Sequence, residues 1–519
     1  MKNYFKYMAI LALGIVSCEP ELENSIEDGD FYTSGEADFS NYVALGNSLT
    51  AGYADGALYL SGQQNSFPSI LAEKFSAVQE TGEFIQPLVN DNAGGLLLGG
   101  NQITQNRFVL AVGANGPSPA RYTGAQPTTE VSNKFAGPVN NMGVPGAKSY
   151  HLGAPNYGSV AGVTAGTANP YFARFSSSES ATVLQDALAQ DPTFFTLWIG
   201  NNDVLGYATS GGVGEYQETE TNPALYGEGD ITNPVIFNAV YGQLASSLAE
   251  TADGVLINIP DVTSVPFFTT VPNNALALDA ATATQLTQYF QAVSGVLTQV
   301  LIGQGVPAAQ AQALAGQYAI TFNEGPNRFL IDTPVTQTNP LGFRQMTQEE
   351  LLVLTIDQGA LASGYGSVQF TQSVGEVIAI LQAGGMPTEA QVNTLFGAVS
   401  GIDDKDVLDN DELANIKDAT TKFNNSIQTY ADQFGLGYVD ANALLTQLDN
   451  GGITFDGGSV NSDFVTGGAF SLDGVHLTPR GYAIIANAII DEINTTYGSN
   501  VPKANVGSYG TVTLSQDVQ

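Results

Sequence analysis

The 519 residues hold one cysteine, one tryptophan and two histidines, and 15 lysines and arginines stand against 50 aspartates and glutamates. Each shortage excludes something. A single thiol, Cys18, cannot close an internal disulfide. A net charge of −35 repels nucleic acid and anionic headgroups, so no nucleic-acid partner is expected and any membrane attachment has to come from lipid. Two histidines, His151 and His476, leave a narrow choice of general base. The apolar run from Tyr7 to Ser17 is too short to span a bilayer. Charged residues are only 13% of the chain while glycine reaches 58 positions, so much of the solvent face must be Asn, Gln, Ser, Thr and Gly. The length is ample for a core and for more than one domain.

Two lysines lie within Met1 to Lys6, ahead of that apolar run, which is a signal-peptide pattern. Ile15-Val16-Ser17-Cys18 resembles a bacterial lipobox. The resemblance implies that residues 1–17 are removed and that Cys18 is lipidated as the mature N-terminus. Residues 18–40 begin with Glu19-Pro20-Glu21-Leu22-Glu23 and continue acidic and without periodicity, so they read as a tether. The tether resembles the acidic export tags of some outer-membrane lipoproteins, although a plain solvated linker explains the composition equally well. The expected location is the bacterial cell envelope, lipid-anchored, at the outer membrane and open to the outer surface.

Beyond the tether, Asn41-Tyr42-Val43-Ala44-Leu45 reads as a buried strand that runs into Gly46-Asn47-Ser48-Leu49-Thr50-Ala51-Gly52. That sequence puts a hydroxyl on a sharp turn. A serine at its free pKa is a poor nucleophile and needs a base, a group that orients the base, and donors for an oxyanion. Asp473-Gly474-Val475-His476 supplies the first two: an Asp three residues before His476 can accept from one ring nitrogen and leave the other for Ser48. Two further turns offer donors. Phe194 to Ile199 reads as a second buried strand leading into Gly200-Asn201-Asn202-Asp203, and Asn141-Met142-Gly143-Val144-Pro145-Gly146-Ala147 reads as a glycine-bearing turn. In an open α/β sheet such turns gather outside the carboxyl ends of the strands.

The order G-N-S-L, N-x-G-x-P-G, G-x-N-D and D-x-x-H resembles the SGNH, or GDSL-type, ester hydrolase family. The resemblance implies Ser48 as nucleophile, His476 as base and Asp473 as its orienting carboxylate. It also implies an oxyanion hole made of the Ser48 N–H, the Gly146 N–H and the Asn202 side chain, with Gly143 competing for the second position. The family's usual Asp before the serine is Asn47 here, which bears on how the turn is held. Hydrolysis of a carboxylic ester through an acyl-enzyme would follow, without metal or organic cofactor. Within that chemistry the site residues do not separate a lipase or acylhydrolase from a carbohydrate O-acetyl esterase. From a different class, a surface lipoprotein could keep the fold and only bind. No partner is supplied near His151, which is read as structural or as part of a rim.

Strands that alternate with helices imply an α/β fold, a mainly parallel sheet covered on both faces, and the resemblance makes it three-layered and flavodoxin-like. Expected helices are Ser66 to Phe75, Ala181 to Gln190, Pro234 to Thr251 (with Val235, Ala239, Leu244 and Leu248 on one face), Leu413 to Phe434 and Pro479 to Tyr497. Expected further strands are Gly254 to Pro260 and Gly437 to Asp440. The first part of the core spans 41–272, with an irregular or hairpin insertion over the site at about 83–129, and the second spans 403–500 ahead of a tail, 501–519. Between them, Asn273 to Ile402 is rich in Ala, Gln, Leu and Thr and reads as a largely helical cap over the crevice. Within it, Leu301 to Pro307 echoes Leu381 to Pro387, as in a duplicated helical hairpin or in any helix pair broken by glycine then proline. An apolar inner face on this cap would favour an acyl chain as substrate. Asp403 to Glu412 lacks the glycine and spacing of a calcium loop and reads as a solvated helix start.

Overall fold

A computed structural model describes residues 31–113 and 116–518. The expected signal peptide, Cys18 and the first part of the tether lie outside the described residues. The architecture is α/β, organised on five parallel strands: β1 (Tyr42–Gly46), β2 (Asn141–Gly143), β3 (Phe194–Trp198), β4 (Asp253–Ile257) and β5 (Gly437–Val439). Across the sheet they run β2-β1-β3-β4-β5. Every residue of β1 and β3 is buried, and both read as continuous apolar runs because a parallel sheet is covered on both faces.

Among the helices, in chain order, are α1 (Ser48–Ala51), α2 (Phe67–Phe75), α3 (Val183–Leu188), α4 (Asn202–Thr209), α5 (Pro234–Ala249), α6 (Ala280–Gly303), α7 (Ala308–Gly316), α8 (Gln372–Gln382), α9 (Glu389–Phe396), α10 (Asn410–Phe434), α11 (Ala441–Asp449) and α12 (Pro479–Tyr497). On the sheet, α2 packs with α12, while α5 packs with α3 and α10. Phe237 of α5 stacks on Phe423 of α10 with ring centroids 4.0 Å apart. Starts of helices follow their sequence signals: Ser66 caps α2 with Pro68 in its first turn, Asp409 and Glu412 form a capping box on α10, and Thr478 caps α12 ahead of Pro479.

Several expectations are corrected. Asn141 to Gly143 is an edge strand rather than part of a turn, because it pairs residue for residue with Ala44 to Gly46. The buried face of α5 is Phe237, Tyr241, Leu244, Ala245 and Leu248, and Val235 is 70% exposed, since Pro234 and Val235 form the outward first turn. The tether ends before residue 40: Phe39 is fully buried, stacked on Phe75 at 4.1 Å, and the Glu36 N–H donates to the Tyr497 carbonyl. Residues 501–518 are no loose tail, because Val501, Ala504 and Val506 are buried and the Leu110 N–H donates to the Thr513 carbonyl.

The 273–402 region builds a second hydrophobic cluster of its own around Tyr289, Phe290, Val293, Tyr318 and Leu395. Two helical hairpins, α6-α7 and α8-α9, flank it where the repeated glycine-proline segments lie. Between the hairpins the only helix among the described residues is a short one, Gln358–Ala362. Short antiparallel pairs join Leu330–Asp332 to Phe343–Gln345 and Ser367–Val368 to Val399–Ser400. Phe329, Ile331, Leu352 and Val353 belong instead to the main core and fasten the region to the sheet domain.

Candidate active site

The strand order reverses direction between β1 and β3, the kind of switch point at which open α/β sheets bind ligands outside the carboxyl ends of their strands. Gly46 closes β1, Asn47 caps α1, and Ser48 is the first residue of that four-residue helix. The cap is specific: Asn47 Oδ1 accepts from the Leu49 N–H at 3.0 Å while its Nδ2 donates to Asn201 Oδ1 at 3.0 Å. A carboxylate at position 47 could accept but not donate, so the amide found here matches the carbonyl that Asn201 presents.

The far end of the chain brings the other partners. Ser48 Oγ lies 2.8 Å from His476 Nε2, and His476 Nδ1 lies 2.9 Å from Asp473 Oδ2. Thus the sequence-expected nucleophile, base and orienting acid form one hydrogen-bonded line. Asp473 does more than touch the ring. Its Oδ1 accepts from the backbone N–H groups of Val475 (2.9 Å) and His476 (2.8 Å) and from Ser471 Oγ (3.1 Å), and its Oδ2 also accepts from the Gly56 N–H (2.7 Å). Burial pushes this carboxyl up, but the charge of a protonated His476 and these hydrogen bonds outweigh it and hold Asp473 well below the usual carboxylate range. The Tyr53 ring packs against the imidazole at 4.7 Å.

Two donors expected for an oxyanion are free. Among the described residues, neither the Ser48 N–H nor the Gly146 N–H donates to a protein acceptor. Gly143 is a different case. Its N–H is taken by Asn141 Oδ1 at 3.0 Å, and a Cβ there would lie 2.2 Å from the Ala51 N, so this glycine serves the close approach of α1 to β2. Gly146 adopts a left-handed φ of +81°, held by Asn169 Nδ2 donating to the Pro145 carbonyl. Asn202 Nδ2 donates one hydrogen to the Ala147 carbonyl at 2.9 Å, which sets the amide against the same turn and leaves its second hydrogen unused. Fully buried Asp203 fixes the turn from below, accepting from the N–H and hydroxyl of Ser149. Burial pushes the Asp203 carboxyl up, and the Ser149 hydrogen bonds work against that.

Comparison with protein-family models, with curated proteins and with solved structures finds no match.

Sequence reasoning missed a second ring of residues. Buried Asp55, at a φ of 53°, donates its N–H to Ser471 Oγ and accepts from the Leu472 N–H through Oδ1. Its Oδ2 accepts from Tyr59 OH and from Arg107, whose guanidinium also donates to Thr513 Oγ1 and lies 3.6 Å above the Tyr59 ring. Burial pushes Asp55 up while Arg107 pulls it down. This ion pair ties the 83–129 insertion and the C-terminal segment to the turn that carries Asp473. The insertion thus buttresses the acid, with Arg121 adding a bond to the Gly56 carbonyl at 3.2 Å.

His151 is structural. It accepts the Lys148 N–H on Nδ1 at 3.0 Å and stacks on Tyr157 at 4.5 Å. The 273–402 region reaches the site at one edge, where the Leu354 N–H donates to the Phe267 carbonyl and the Phe267 N–H to the Gly474 carbonyl.

Proposed function

We propose that this protein is a serine ester hydrolase of the SGNH type with a three-layer, flavodoxin-like core, anchored at the bacterial envelope through lipid on Cys18. The observation that carries the reading is the Ser48-His476-Asp473 line, drawn together across 428 residues of chain with contacts of 2.8 and 2.9 Å. In the reaction His476 Nε2 takes the Ser48 proton as Oγ attacks the ester carbonyl, and Asp473 stabilises the imidazolium that forms. The Ser48 N–H, Gly146 N–H and Asn202 amide receive the charge that develops on the carbonyl oxygen. The imidazolium then protonates the leaving alcohol, and a water activated by the same nitrogen releases the acid from Ser48.

A glycan ester is the second reading. Its chemistry at the carbonyl is the same, and the site residues do not separate the two. A fluorophosphonate probe tests the chemistry common to both. Wild-type protein should be labelled on Ser48 and should hydrolyse p-nitrophenyl acetate, and Ser48→Ala should lose both with its circular dichroism unchanged. Labelling elsewhere, or turnover that survives Ser48→Ala, removes this serine from the mechanism and leaves a binding lipoprotein as the reading.

A further inference from the structure

An apolar cavity of about 80 Å³ lies beside the triad. One wall is Leu49, the residue after the nucleophile, and another is Val475 and Leu477, the two neighbours of the base. Trp198 at the end of β3, Leu445 of α11 and Ile484 of α12 close it from behind. Every side chain that lines it is apolar. The indole N–H is no exception in effect, since Trp198 Nε1 is already spent on the Asn258 carbonyl at 3.1 Å. Protein interiors are packed without such gaps, and an unfilled one is destabilising. Leu49, Val475 and Leu477, the sequence neighbours of Ser48 and His476, are each part-exposed, as are Pro260, Leu444 and Ile453 elsewhere on the wall.

We infer that this cavity receives the acyl chain of the ester and limits it to a short one. The inference rests on the hydrolase reading and names its acyl specificity. A cavity that holds one benzene ring has roughly 150 Å³. About half that volume accepts three or so carbons beyond the carbonyl, a butyryl group. The walls come from Leu49, from Trp198 at the end of β3, from Pro260 and Val265 after β4, and from residues 441–485. None comes from the 273–402 region, so the acyl end is selected by α11, α12 and the histidine turn rather than by the large insertion.

The test is a chain-length series of p-nitrophenyl esters from acetyl to decanoyl on the full folded chain. Each methylene that enters should raise kcat/KM about fourfold. The gain should run from acetyl to butyryl and then stop. Ala441→Leu, which fills the cavity, should erase the gain. Leu445→Ala, which enlarges it, should carry the gain to hexanoyl, and if one variant fails to fold the other still decides. A wild-type maximum at acetyl, a rise that continues to decanoyl, or folded variants with the wild-type profile would each overturn the inference while a labelled Ser48 kept the hydrolase reading intact. An unlabelled Ser48 would remove both.

Discussion

The turn that carries His476 and the turn that carries His151 are alike in outline: each sets an imidazole against a tyrosine ring, at 4.7 Å from Tyr53 and at 4.5 Å from Tyr157. Each also has a charged residue three positions earlier, and there the likeness ends. For His476 that residue is Asp473, whose carboxylate accepts from Nδ1 and leaves Nε2 for the Ser48 hydroxyl. For His151 it is Lys148, which offers its backbone N–H to Nδ1 and buries its ammonium against the Asp230 carbonyl at 2.8 Å. Burial, and then the Lys148 charge, lower the His151 pKa to about 4. An imidazole works as a base when a neighbour stabilises its charged form, and here one turn supplies an anion where the other supplies a cation.

The largest effect should separate the two rings directly. His476→Ala is expected to lower kcat by about 10⁴-fold or more, as loss of a triad member does. His151→Asn keeps an acceptor for the Lys148 N–H and should leave kcat within about threefold. Steady-state turnover of p-nitrophenyl butyrate by both variants checks this. Equal losses would mean that the two turns act together, contrary to the separation drawn between them.

The same contrast explains what was legible in the sequence. Strands β1 and β3 could be read because parallel strands buried on both faces become unbroken apolar runs that stop at glycine and asparagine. The Ser48-His476-Asp473 line could be read because each member sits in a short local pattern. The Asp55-Arg107 pair could not. Its partners are 52 residues apart, and Arg107 lies in an insertion without periodicity, so no local pattern ties one to the other. The edge strand Asn141–Gly143 was hidden by its length of three residues, and the antiparallel pairs inside 273–402 are as short. Phe39 was hidden for a different reason: a single aromatic after an acidic stretch carries no sign that Phe75 and Phe194 wait for it.

A smaller effect tests what holds each turn. Arg107→Met leaves the Asp55 carboxylate buried with Tyr59 and the Leu472 N–H but without its cation, at a cost of roughly 3–5 kcal/mol by analogy with other broken buried pairs. If Asp55 positions Asp473 through Ser471 and Leu472, kcat should fall about 10- to 100-fold with KM little changed, since small displacements of a reacting group are expensive. Thermal melting and separate kcat and KM values distinguish the outcomes. A lower melting temperature with full kcat in the folded fraction would make Arg107 a stabiliser of the fold and nothing more. The His151 turn has no such external cation and should not respond.

The smallest effect lies in acid stability, where the two turns should yield in different pH windows. His151 has a folded pKa near 4 against 6.5 for the free side chain, so between those values the unfolded chain holds a proton that the folded chain refuses. The His151 contribution to stability therefore declines as pH falls from about 6.5 to about 4, by roughly 3 kcal/mol at most, with no further loss from this ring below that. Asp473 has the opposite sign of protonation. Its folded pKa is depressed, so its contribution is complete above 3.8 and is lost only as pH falls below it. Denaturant midpoints measured from pH 7 to pH 3 should show both segments. His151→Asn should flatten the upper segment and spare the lower, because an amide at 151 has no proton to gain. An unchanged upper segment in that variant would place the acid sensitivity in another group and would break the distinction between a buried neutral ring and the proposed base.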